Sequence, residues 1–328
     1  MRRLDVRAVF LLALASTLSM TFAGAWAAGP RVDFAQGTGR VAVVIDGLPV
    51  AVYHYQDDKI PRPFFAHVRA PNGVQVSRHH PPVENQDLMD HDTFHPGIWM
   101  SFGDINGSDY WRIAARVRHA GFVEPPQGGP GKGSFAVRNQ YLDQRDPSKI
   151  VCEEIARYTF MSRPAGYLLL WDSTFSSDHE FAFGDQEEMG LGFRVATPLR
   201  VGKAGEGDLP AGNGTIRDSE GRTNGDQVWG NASDWCDYSG STAGERVGMT
   251  LFCHPKNFRP SWFHARDYGL LEANPFGREA FGKGAKSSVV VKPGEKMRLR
   301  YGVLIHSGPA GSAPDLPAAY ADYVEVAD

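Results

Sequence analysis

The sequence is short of cysteine, carries no excess of basic residues and shows no long helical period, and each shortage removes a class of protein. Cys152, Cys236 and Cys253 are the only cysteines, with no Cys-x-x-Cys pair, which excludes a disulfide-built scaffold and a zinc framework. Buried free thiols are the simplest expectation, and one disulfide among the three stays open if the chain reaches an oxidising compartment. Lys and Arg total 34 against 38 Asp and Glu, so nothing draws the whole chain to nucleic acid or to an anionic membrane surface. A serine nucleophile elbow is absent, as is a phosphate-cradling glycine loop running into a helix. Gly128, Gly129, Gly131 and Gly133 lack that context and read as a hairpin tip. No cofactor motif is present.

What is there begins with a leader. Arg2 and Arg3 precede an apolar stretch from Ala8 to Phe22, and Ala25-Trp26-Ala27 offers the small residues a signal peptidase needs. The expectation is a signal peptide over residues 1–27, cut before Ala28, and a periplasmic or secreted mature protein. Its competitor is a membrane anchor, which Ser16, Thr17, Ser19 and Thr21 weaken. Cleavage removes three arginines and Asp5, leaving a net charge of −6. No later run approaches the ~20 apolar residues that span a bilayer.

Residues 28–328 are expected to form one domain, since a chain of this size can bury a large core unaided. Val41, Val43 and Ile45 alternate into the Asp46-Gly47 turn, and Ala51, Tyr53 and Tyr55 continue beyond it, a hairpin signal. A second hairpin is read at Pro293-Gly294, between Val289–Val291 and the alternating Met297, Leu299, Tyr301, Val303 and Ile305. Further strands are expected over 64–69, 114–122, 134–142, 150–161, 167–176, 192–196 and 247–254. Glycine and proline, 37 and 22 residues, supply the turns that many short strands require. The fold class that follows is all-β, a large antiparallel sandwich. Three segments, 77–96, 202–235 and 259–285, read as long loops, where functional groups concentrate.

The first loop carries His79, His80, Asp90, His91, Asp92 and His95, followed by Asp104 and Trp111. Imidazoles flanked by acids suit a general acid or base, or a divalent metal held by His91 and His95. The third offers Trp262, His264, Arg266, Asp267, Tyr268 and Asn274, aromatic faces and forked donors of the kind a sugar ring needs. Between them Glu187 and Glu188 stand just before a strand that includes Arg194, which places Glu188 at a sheet end. Ordinary packed loops and solvated carboxylates are the bland alternatives at each position. Trp235, Asp237 and Tyr238 are expected at a sandwich corner with Trp235 buried.

These residues also form motifs. Asp90-His91, Phe94-His95-Pro96-Gly97-Ile98-Trp99, Phe102-Gly103-Asp104-Ile105-Asn106-Gly107 and Tyr110-Trp111 stand in order along the chain. They are followed by Gly190 to Ala196, Trp235 to Gly240, Trp262 to Gly269 and Asn274-Pro275-Phe276-Gly277. As a set they resemble the exported bacterial proteins labelled "methane oxygenase PmoA". The methane activity in that label does not transfer, because it belongs to an integral membrane protein and residues 28–328 have no spanning run. The resemblance implies a sandwich similar to the galactose-mutarotase-like sandwiches of bacteria that degrade polysaccharides.

The leading expectation is a carbohydrate-active enzyme, cleaving or isomerising a sugar by His and carboxylate acid–base chemistry, with a small-molecule or oligosaccharide ligand. His91, His95, Glu188 and His264 are its candidate catalytic residues. Asp90, Asp104, Trp111, Arg194, Arg266, Asp267, Tyr268 and Asn274 are its candidate substrate contacts. A non-catalytic carbohydrate-binding protein and a metal-dependent enzyme using the His91/His95 loop are the alternatives.

Overall fold

A computed structural model describes residues 29–202, 209–242 and 244–328. The leader expected over residues 1–27 lies outside the described residues. Two antiparallel sheets face each other. The first runs, edge to edge, Trp262–Arg266, Leu270–Asn274, Met189–Arg194, Ile98–Phe102, Phe64–Ala66, Leu48–His54, Arg40–Ile45, Arg31–Gly37 and Gly129–Pro130. The second runs Thr215–Asp218, Trp235–Thr242, Glu245–Cys253, Met297–Pro309, Gly166–Ser176, Ile150–Arg163, Lys132–Leu142 and Val117–Gln127.

Alternation builds the core. Along Ile150–Arg163 every second residue from Cys152 to Phe160 is buried, which turns one face inward as a period of two requires. Tyr53 and Phe65 from the first sheet meet Tyr158 and Trp171 from the second, with ring centroids 5.0 to 5.8 Å apart. The Asp46-Gly47 hairpin forms as its pattern predicts, with a register shift at Val43/Val44. All three cysteines are buried and free.

Several expectations are corrected by pairing. Val289–Val291 does not form a hairpin with Met297–Pro309; it pairs with Phe181–Phe183 in a small separate sheet. Met297–Pro309 lies between Gly166–Ser176 and Glu245–Cys253 instead. Segment 259–285, expected to be a loop, contains two strands, Trp262–Arg266 and Leu270–Asn274, joined through Gly269 at a φ of +116°. Both are covered on both faces, so neither shows the polar-out alternation by which a strand is recognised. Ile98–Phe102 escaped notice for the same reason, being buried at every position. Segment 202–235 holds a strand at Thr215–Asp218 and a short helix at Asn224–Val228.

Each outer face is covered at one place. A helix at Leu316–Val326, capped by Asp315 accepting from the Ala318 N–H at 3.1 Å, lies over the second sheet. It buries Leu168, Trp235, Phe252 and Leu304 with Tyr323, whose ring sits over Gly302. On the first sheet, a smaller apolar cluster of Ile60, Phe64, Ala66, Trp99, Trp111 and Leu270 forms beneath the connecting segments. Among the described residues no helix is long and apolar enough to cross a membrane.

Candidate functional site

In Leu270–Asn274, Leu271 and Ala273 belong to the core between the sheets, so Glu272 faces outward. The register then places His264 beside Glu272, Glu272 beside Gly192, and Gly192 beside Trp99. This row crosses three interstrand steps of ~4.8 Å, roughly 14 Å in all. At Gly192 a Cβ would stand 3.3 Å from the Glu272 Cβ and 3.5 Å from the Trp111 ring, so the glycine lets the carboxyl-bearing strand and the indole close over it. Trp111 packs edge-on against Trp99 at 5.3 Å.

One end of the row is a buried dyad. His264 Nδ1 lies 3.2 Å from Glu272 Oε2, and Arg266 Nε donates to His264 Nε2 at 3.0 Å. With Nε2 accepting, the neutral imidazole carries its proton on Nδ1 and donates it to Glu272. Burial, reinforced by Arg266, lowers the His264 pKa to about 3. Burial, reinforced by Glu188, pushes the Glu272 carboxyl well above its usual range. The pair is therefore an imidazole held in its unprotonated form beside a carboxyl biased toward its protonated form, and Glu272 Oε1 has no hydrogen-bond partner among the described residues. Arg266 also donates to Glu187 at 3.0 Å, and both side chains are partly exposed, so this ion pair separates the dyad from solvent.

The other end is built by the histidine loop. Arg194, fully buried, makes two parallel hydrogen bonds to Asp90 at 2.8 and 3.0 Å, and its guanidinium lies 4.4 Å from the Tyr268 ring centre. Burial opposes ionisation of Asp90, but hydrogen bonds from His91 and Arg194 and the charges of Arg194 and Arg78 hold it well below the usual carboxylate range. His91 stacks on His95 at 4.8 Å, and His95 on Trp99 at 5.1 Å. His95 Nδ1 lies 3.2 Å from Arg194, and burial together with Arg194 holds this imidazole neutral. Stacked rings do not converge their nitrogens on one point. Among the described residues no group of three His, Cys, Asp or Glu is arranged to hold a metal ion.

Residues 40–321 match the sequence model of DUF6807, a family of unknown function. The chain belongs to that family. No curated protein matches it in sequence. Among solved structures, the DUF6807 chain is similar to a GalM/aldose epimerase homologue from C. elegans at 9% identity and a TM-score of 0.35, over 85% of this chain and 99% of that one. A galactose mutarotase-like protein from Lactobacillus casei gives 10% identity and 0.34, over 84% and 100%. A GH36 alpha-galactosidase from Geobacillus stearothermophilus gives 10% and 0.42, over 85% of this chain and 40% of the galactosidase, so the chain spans less than half of that enzyme. These likenesses concern the fold alone.

The DUF6807 chain uses its other motif residues differently. Glu188 stands immediately before strand Met189–Arg194 and pairs with Arg112 at 2.5 Å, while the carboxyl beside His264 is Glu272. Asp104 accepts from the Gly107 N–H at 2.7 Å and shapes a turn. Asp267 accepts from the Gly225 N–H at 2.8 Å. Asn274, fully buried, donates to the carbonyls of Gln186 and Glu187 and accepts from the N–H groups of Phe276 and Gly277, so it positions the Glu187 loop and has no hydrogen-bonding capacity left for a ligand. Sequence analysis missed Glu272, Arg112, Arg78 and Arg62. Arg78 grips the carbonyls of Leu88, Asp90, His91 and His95, and Arg62 those of Phe94, Tyr110 and Trp111. Glu272, at the second position beyond Leu270, carried an alternation signal only if 270–274 were first recognised as a strand.

Proposed function

We propose that the chain is an exported carbohydrate-active enzyme whose acid–base chemistry takes place on the outer face of the first sheet. The observation that carries this reading is the dyad: an imidazole held neutral and a carboxyl biased toward its protonated form, side by side on the outer face of the sheet and screened by the partly exposed Arg266 and Glu187. Making or breaking a sugar C–O or C–H bond needs a group that takes a proton and one that gives it, both available at the same pH. His264 is the base and Glu272 the acid. Tyr268, partly exposed at the edge of the Trp99–Trp111 cluster, offers an apolar face to the C–H side of a sugar ring, and Arg112, Arg266 and Glu187 offer donors and acceptors for hydroxyls. A substrate hydroxyl reaches His264 Nε2 by displacing the partly exposed Arg266.

The test is a screen of purified mature protein against oligosaccharides with mass spectrometry of the products, repeated with Glu272→Gln and His264→Gln. Turnover is expected in the parent, and each variant should lose about 10²- to 10⁴-fold while keeping its affinity, as for removal of a proton-transfer group. Saccharide binding without turnover in the parent makes the chain a binding protein. Full activity in both variants removes the dyad from the chemistry.

A further inference from the structure

Away from the dyad, a groove of about 260 Å³ is lined by Tyr55, Arg62, Arg116, Arg118 and His119, among others, and a second of about 510 Å³ adjoins it, sharing Pro61, Arg116 and Arg118. Three guanidinium groups line this space, and among the described residues none of them pairs with a carboxylate. Arg118 donates only to the amide oxygen of Gln140, at 2.6 and 3.0 Å. Arg116 is exposed and makes no side-chain hydrogen bond among the described residues. Arg62 is 3% exposed, gives its terminal nitrogens to backbone carbonyls, and leaves its buried Nε–H without a partner.

Carbonyls satisfy hydrogen bonds but not charge, and a buried cation without a counter-ion is costly. Burial accordingly pulls the Arg62 pKa down to about 9. Two carboxylates share this space with the three guanidiniums, Asp57 in the first groove and Asp143 in the second, and both are turned to backbone N–H groups. Asp57 accepts from the N–H groups of Lys59 and Ile60, and Asp143 from those of Arg145 and Asp146. His119, packed at a tilt against Tyr55 with ring centres 4.5 Å apart, adds a buried Nδ1 with no partner among the described residues.

We infer that this groove is an oxyanion site, in which Arg62, Arg116 and Arg118 take a sulfate, phosphate or carboxylate group, free or carried by a saccharide. The unengaged guanidinium fork of Arg116 matches the paired oxygens of such groups, Arg118 adds its remaining donor, and the ligand supplies the counter-charge that Arg62 lacks. Arg62 also joins this groove to the proposed catalytic face. The same side chain holds the Phe94 carbonyl, beside His95, and the Trp111 carbonyl, so an anion here fixes the side chain that ties those two segments together.

Isothermal titration of the mature protein with sodium sulfate and, separately, with methyl glucuronide, at constant ionic strength, tests the site. Saturable binding is expected, weakened by about tenfold or more in Arg116→Ser/Arg118→Ser, two exposed positions whose replacement leaves the core intact. Circular dichroism checks the fold of that variant. Tighter binding of the glucuronide than of sulfate, lost in the same variant, assigns the site to an acidic saccharide; binding of sulfate alone assigns it to a free oxyanion. No saturable binding of either probe, or equal affinity in the double variant, overturns the inference. No turnover is measured, so this result stands apart from that of the oligosaccharide screen.

Discussion

At the scale of single residues, His264 links the site to stability. Its folded-state pKa lies below the ordinary 6.5, so it favours the fold above that value, and the benefit is lost as pH falls from 6.5 toward about 3. At pH 5 the loss from this one buried imidazole is on the order of 2 kcal/mol, from 1.4 kcal/mol per unit of pH. Glu272 acts in the opposite sense: its raised pKa stabilises the fold at low pH, and that contribution fades as pH rises above 4.5. Urea titrations at pH 7 and pH 5 should therefore show His264→Gln faring better on acidification than the parent by about that amount, the opposing contribution of Glu272 being common to both. Equal losses in the two proteins would mean that His264 keeps an ordinary pKa.

At the scale of elements, the histidine loop is ordered from beneath. Segment 77–96 has no strand or helix, and Arg78 supplies the bonds that secondary structure would otherwise provide. Arg78→Met keeps the apolar stem and strips the carbonyls of Leu88, Asp90 and His95 of their donor, leaving that of His91 only the His95 N–H. The expected cost is about 3 kcal/mol, as for breaking a buried charged network, read as a shift of the urea midpoint. Limited proteolysis should cut first within 88–95, and cleavage elsewhere would show that Arg78 does not order this loop. The second element is the helix Leu316–Val326. Trp235, 6% exposed, belongs to the apolar cluster beneath it, so Trp235→Ala should cost about 3 kcal/mol or more through the cavity it leaves. An unchanged thermal midpoint would place this indole outside the packed cluster.

At the scale of the whole molecule, the two sheets serve different ends. Both turn one face to a shared core, but the second closes its other face with a helix while the first leaves part of its outer face to loops and charged side chains. Segments 77–96 and 259–285 meet on that face, where His91 and His95 stack with Tyr268. The candidate residues fall into two groups there. Tyr268, Arg194 and Asp90 join His91 and His95, while His264 pairs with a carboxyl that lay unrecognised eight residues along the chain.

The all-β class was legible because half-buried strands such as Ile150–Arg163 write their period of two directly into residue order, and because glycine at turns such as Gly47 and Gly294 is a local requirement. Chemistry-bearing segments were legible for a similar reason: imidazoles, acids and aromatics were crowded into them. Partnership was not. Which strand lies beside Val289–Val291, and which carboxyl lies beside His264, depend on hydrogen-bonded register between segments far apart or hidden by burial on both faces. A residue's own neighbours in sequence carry no record of that register, so only the assembled sheet decides it.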